Sequence, residues 1–158
     1  MTTKKKVYLA SFLAPMLIML VAWIIDGFFP FGAKSLMAVD FNAQYIGLYA
    51  YFKHLFLNGD WSSFFYSFSK SIGGGMLGIW GFNLLSPFNF LFLLFSEENF
   101  QWVVPVTIAL RYGTMGLTMT HFLVKRYDGL KNKAYLLPIV ATIYALNGFN
   151  VSYQMNPI

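Results

Sequence analysis

The chain has 158 residues, of which 58% are hydrophobic and only 11% are charged, and it contains no cysteine. Because a soluble domain is roughly a quarter charged and could not bury so much apolar surface, this composition predicts an integral membrane protein. It excludes disulfides and thiolate metal sites. The net charge of +5 does not indicate nucleic-acid binding, since the basic residues cluster at the ends of apolar segments.

The first predicted element is a transmembrane helix over residues 7–25, preceded by Lys4, Lys5 and Lys6. Its apolar stretch is longer than the core of a signal peptide, which is about 7–15 residues, and no small-x-small cleavage site follows. The stretch matches the ~30 Å hydrocarbon core of a bilayer, so we expect an uncleaved span.

Residues 26–99 are predicted to form an extracytoplasmic loop that contains an amphipathic helix over about residues 41–57. The apolar side of this helix is aromatic and aliphatic, which suits a helix lying in the membrane interface. Helical spacing gives it a polar face that carries Asp40, Gln44, Gly47, Tyr51 and His54. On this local pattern, Asp40 is either a helix cap or an exposed catalytic carboxylate.

The stretch from 71 to 95 is uncharged and long enough to cross the membrane. Glycines at 73–75 and the pair Ser86-Pro87 interrupt it and disfavour one continuous helix. We therefore expect an interfacial or re-entrant segment, with a membrane crossing as the alternative. Its GGGMLG matches G-x-G-x-x-G, but no preceding strand or downstream acid supports nucleotide binding.

Two further spans are predicted, at residues 100–124 and 134–153, on either side of the basic loop KRYDGLKNK. The positive-inside rule places this loop and the N-terminus in the cytoplasm. Arg111 lies near the middle of the second span, where it either binds a lipid phosphate or pairs with a carboxylate or carbonyl. His54 and His121 are too far apart in sequence to indicate a metal site.

Four blocks of the chain stand out, in the order FFPFGAKSLMAVDFNAQY, SKSIGGGMLGIWGFNLLSPFNFLFLLF, LRYGTMGLTMTHFLVKR and YALNGF. In this order they resemble the N-terminal part of the YfhO family of bacterial multi-span membrane proteins. The most specific parts are D-x-N-x-Q-Y and S-P-F-N. Together the blocks cover nearly the whole chain.

The resemblance implies a GT-C-like glycosyltransferase that moves sugar from a polyprenyl-phosphate donor to a cell-surface polymer such as teichoic acid. It implies that Asp40 is the catalytic acid and that Asn42, Gln44, Tyr45 and Arg111 bind substrate. Many such enzymes have a second acid close to the first, where this chain has Asn42. The identity of the base and the need for a divalent cation therefore stay open, and Asp60 is the nearest downstream acid.

The predicted fold class is an all-α integral membrane protein, with three transmembrane helices and one large outer loop in a single module. Because the family is longer than this chain, we expect an N-terminal fragment that is inactive alone. The expected partners are membrane lipid, the lipid-linked donor and the polymer acceptor, at the bacterial cell membrane. The alternatives are a component of a lipid or polymer transporter, or a non-catalytic membrane module.

Overall fold

A computed structural model describes residues 3–37, 44–70, 72–127 and 134–152 of the chain. The described residues are mostly helical and fall into two compact units. Unit 1 contains the described residues up to Lys34 and from Ile108 onward, and unit 2 contains those from Ser35 to Thr107. Of the predicted site residues, Asp40 and Asn42 lie outside the described residues.

The described residues of unit 1 form four helices. They are α1 (Thr3–Asp26), the later part of α4 (Phe100–Arg126), α5 (Leu136–Ala145) and α6 (Gly148–Ser152). Within the described part of the chain, one helix, Lys4–Asp26, is both long enough and apolar enough to cross a membrane.

Glycines of α4 allow close packing against α1 in unit 1. A Cβ atom at Gly113 would lie 2.7 Å from the sulfur of Met16 and 2.8 Å from the ring of Phe12. A Cβ atom at Gly116 would overlap the carbonyl oxygen of Ser11. Only glycine lets the two backbones approach this closely, as is common between membrane helices.

The segment predicted as the third span is not one continuous helix. It breaks at Leu146 and Asn147, between α5 and α6. The side-chain oxygen of Asn147 accepts a hydrogen bond from the backbone N–H of Asn150 at 3.1 Å. This bond satisfies a donor at the start of α6, so the asparagine supports a new helix start here. The Tyr112 hydroxyl also donates to the carbonyl of Asn150, at 3.1 Å.

Unit 2 consists of short elements packed on one longer helix, α2 (Ile46–Asn58). Its described elements after α2 are a 3₁₀ turn (Trp61–Phe64), β1 (Tyr66–Ser67), β2 (Gly74–Gly75), α3 (Leu77–Ile79), a π-helical turn (Trp80–Leu84), two 3₁₀ segments (Pro87–Leu94 and Glu97–Asn99) and the start of α4. The strands pair antiparallel, with Tyr66 opposite Gly75 and Ser67 opposite Gly74. This small hairpin is a departure from the predicted all-α class.

Aromatic side chains form the core of unit 2. Tyr49 and Phe52 of α2 are buried, and the Tyr49 ring stacks on Phe92 with the ring centroids 4.1 Å apart. Trp80 stacks on Phe64 at 4.7 Å, and its indole N–H donates to the Phe64 carbonyl at 2.6 Å. Full burial of one such ring contributes about 1.5–3 kcal/mol, so these contacts hold the short elements against α2.

Residues 72–95, the described part of the stretch from 71 to 95, are divided among short helical turns and the second strand of the hairpin, as the glycines and Ser86-Pro87 predicted. Ser86 is extended, and Pro87 begins the next 3₁₀ segment. A proline fixes its own φ and disfavours helical geometry in the residue before it, which separates the two turns.

Candidate functional site: a polar cleft in unit 2

A cleft of about 290 Å³ lies between α2 and the hairpin of unit 2. Its lining combines an amide, a phenol, two hydroxyls and an amine with apolar side chains. The lining residues are Gln44, Gly47, Leu48, Tyr51, Ser67, Ser69, Lys70, Met76 and Ile79. Most of the lining surface is apolar, and the polar groups set in it include no carboxylate. Such a lining suits a ligand that combines an anionic or hydroxyl-bearing part with an apolar part.

One wall of the cleft is formed by one face of α2 and by Gln44 in the turn just before it. Gln44, Gly47, Leu48 and Tyr51 follow the i, i+3, i+4, i+7 spacing that brings residues to one side of a helix. A Cβ atom at Gly47 would meet nothing within 4 Å, so the glycine leaves this wall open. The structure thus brings together three residues of the predicted polar face, whereas His54 is exposed and does not line the cleft.

The opposite wall is the β1–β2 hairpin, whose turn depends on Gly73. Gly73 has φ +106°, a conformation that side chains rarely adopt, and its N–H donates to the Lys70 carbonyl at 2.8 Å. A Cβ atom there would lie 2.5 Å from the Tyr66 hydroxyl. The glycine run therefore shapes a tight turn, as expected for glycines at this position.

Hydrogen bonds within unit 2 determine which polar atoms of the cleft can donate to a ligand and which can accept from it. The Tyr51 hydroxyl donates to the Ser63 carbonyl at 2.5 Å, so its oxygen is left to accept from a ligand. Ser67 is buried, and its oxygen accepts the N–H of Ser69 at 3.2 Å, so its own proton is available to donate. Lys70 donates from Nζ to the Gly75 carbonyl at 2.7 Å.

The other predicted substrate-binding residues do not line this cleft. Tyr45 is only 4% exposed and forms part of the core of unit 2. Arg111 is half-buried on the portion of α4 that belongs to unit 1. Their assignment to substrate binding stays a prediction.

Asp60 is held in a local turn outside the cleft lining. Its carboxylate accepts hydrogen bonds from the hydroxyls of Ser62 at 2.5 Å and Ser63 at 2.6 Å. These two bonds lower the pKa of the Asp60 carboxyl below its ordinary value.

Sequence reasoning did not single out Ser67, Ser69 and Lys70. The signal was present in SFSKSIGGG, where serines and one lysine precede three glycines. A glycine run of this kind is typical of a tight turn, and a turn returns the chain past the residues before it. That geometry was the clue that these polar side chains would share a surface.

The family pattern described as "Bacterial membrane protein YfhO" matches residues 11–158. The chain belongs to the YfhO family. Comparison with curated proteins and with solved structures finds no match. Membership in the YfhO family agrees with the membrane-capable α1, and it makes this chain a bacterial membrane protein.

Proposed function

We propose that this YfhO-family chain serves a membrane glycosyltransferase that moves sugar from a polyprenyl-phosphate donor to a cell-surface polymer such as teichoic acid. The observation that carries the proposal is the cleft of unit 2, whose lining includes amide, hydroxyl and amine groups. The wall formed by α2 and the turn before it begins at Gln44, four positions after Asp40 in the sequence. Amide, hydroxyl and amine groups are those that recognise sugar hydroxyls and phosphate.

In the proposed reaction, Asp40 accepts the proton of an acceptor hydroxyl as that oxygen attacks the anomeric carbon of the sugar. The bond between this carbon and the phosphate oxygen breaks, and its electron pair leaves with the polyprenyl phosphate. Positive charge near the leaving phosphate stabilises the transition state, and Arg111 is proposed for this role. Among the described residues no group of three metal ligands occurs, and no step is assigned to a metal.

The proposed topology has three spans, formed by α1, by α4 and by the segment of α5 and α6. The N-terminal lysines and the loop at 125–133 are then cytoplasmic, and residues 26–99 are extracytoplasmic. This arrangement places the cleft on the outer face, where lipid-linked sugars meet surface polymers.

The test uses the host bacterium and the complete reading frame. We expect Asp40→Asn to lower the sugar content of the surface polymer at least about 100-fold, because general base catalysis contributes about 10²–10⁴-fold. Asp60→Asn is the matched control and should retain glycosylation. The polymer is purified and its sugar measured chemically, with protein levels checked by immunoblot.

Normal glycosylation in the Asp40→Asn strain would contradict the role of Asp40. Normal glycosylation after complete deletion of the gene would contradict the glycosyltransferase assignment itself, and altered lipid export in that strain would favour a transporter.

A further inference from the structure

Lys70 supplies the positive charge of the cleft in unit 2. It is the one charged side chain among the described lining residues. Its Nζ donates to the neutral carbonyl of Gly75, and no described carboxylate forms an ion pair with it. An anion that binds beside this ammonium adds a direct Coulomb attraction between opposite charges, which a neutral carbonyl does not offer.

The glycine run positions the Lys70 side chain along the hairpin. A Cβ atom at Gly74 would lie 3.2 Å from Cδ of Lys70 and 3.6 Å from its Cε, so the missing side chain leaves room for the lysine stem. The pairing of β1 with β2 and the space at Gly74 therefore let the Lys70 side chain lie along the hairpin, where it lines the cleft.

Neutral side chains that can donate hydrogen bonds line the same cleft as Lys70. The amide of Gln44 and the hydroxyls of Ser67 and Ser69 line the same cleft. A tetrahedral phosphate offers three or four acceptor oxygens, which this set of donors can satisfy from several directions. The volume of about 290 Å³ is at the lower end for ligand pockets and suits a headgroup rather than a whole lipid.

We propose that the cleft binds a phosphate monoester or diester, with Lys70 as its counter-ion. This inference deepens the proposed function and rests on it for the identity of the ligand, the phosphate of the lipid donor. It assigns a phosphate contact to a residue of unit 2.

The test is calorimetric titration of the purified protein in uncharged detergent with a short polyprenyl phosphate. We expect Lys70→Gln to weaken binding about tenfold, and Lys70→Arg to stay within about threefold of the unmodified protein because it keeps the charge. Lys53→Gln is the matched control, since Lys53 also donates to a backbone carbonyl, that of Phe95, but does not line the cleft. Lys53→Gln should bind normally.

Two further probes identify the source of the phosphate. A polyprenol of the same length should bind at least tenfold more weakly than the phosphate. Inorganic phosphate that competes fully would identify a free-phosphate site, whereas weak competition would identify a lipid headgroup site. Both results support a phosphate site.

Equal binding of polyprenol and polyprenyl phosphate would overturn the inference, as would equal weakening by Lys70→Gln and Lys53→Gln. The measurement is separate from sugar transfer, and Asp40→Asn should still bind the phosphate. If the protein binds polyprenyl phosphate through Lys70 but transfers no sugar, only the glycosyltransferase proposal is contradicted. If it transfers sugar but its binding of polyprenyl phosphate does not depend on Lys70, only the phosphate-site proposal is contradicted.

Discussion

Asp60 illustrates how a residue that stands out in the sequence takes a local role in the fold. It is the nearest acid downstream of Asp40 in the predicted outer loop, and the family resemblance left the identity of the catalytic base open. In the structure its two oxygens are engaged by the hydroxyls of Ser62 and Ser63. A carboxylate held in this way stabilises a turn, and the described cleft lining does not include it.

The lowered pKa of Asp60 gives a pH prediction. Because the folded pKa lies below the ordinary value of 3.8, ionised Asp60 stabilises the fold above that pH, and the contribution is lost as pH falls through the lowered pKa. Asp60→Asn should therefore lower the melting temperature at pH 7 and have little effect in strong acid. Thermal unfolding of the unmodified protein and of Asp60→Asn, from pH 7 down to strong acid, checks this prediction. A difference between the two melting temperatures that grows in acid would contradict it.

At the scale of elements, helical spacing was enough to predict which residues of α2 share a face. The predicted helix covered about residues 41–57, and the described helix is Ile46–Asn58. Two-residue strands have no measurable period, so the β1–β2 hairpin could not be predicted from alternation. The break between α5 and α6 had a local signal, Asn147 followed by Gly148, which the strong hydropathy of the segment obscured.

The hairpin yields a prediction with a control in the same glycine run. Gly73→Ala should destabilise the protein by about 1–3 kcal/mol, because alanine is strained at φ +106° and its Cβ would meet the Tyr66 hydroxyl. Gly75→Ala should change stability by less than about 0.5 kcal/mol, since its Cβ would enter open space. Thermal unfolding in detergent measures both, and equal effects would show that the turn does not depend on Gly73.

For the whole molecule, composition was enough to predict a membrane protein, because burial of this much apolar surface is not possible in a small soluble fold. Only one of the two walls of the cleft could be predicted from the sequence. Its α2 wall follows from helical spacing, whereas Ser67, Ser69 and Lys70 reach it through a turn whose path depends on tertiary packing. The spacing of Gln44 and Tyr51 could not reveal which segment faces them.

The proposed topology can be tested because the chain contains no native cysteine. Asn58→Cys, at the exposed end of α2, should react with a membrane-impermeant maleimide in intact cells. Lys125→Cys, exposed at the end of α4, should react only after the cells are opened, because the positive-inside rule places it in the cytoplasm. Labelling in the reverse order would contradict the topology.

Sugar transfer by the purified protein tests the central claim most directly. Lipid-linked sugars are extracted from a deletion strain grown with a radiolabelled sugar, then mixed with unlabelled polymer and the protein encoded by the complete reading frame. We predict that label moves from the lipid to the polymer, and that Asp40→Asn reduces the rate at least about 100-fold while still binding the donor. Label that remains on the lipid, with folded protein that binds polyprenyl phosphate, would contradict the proposal.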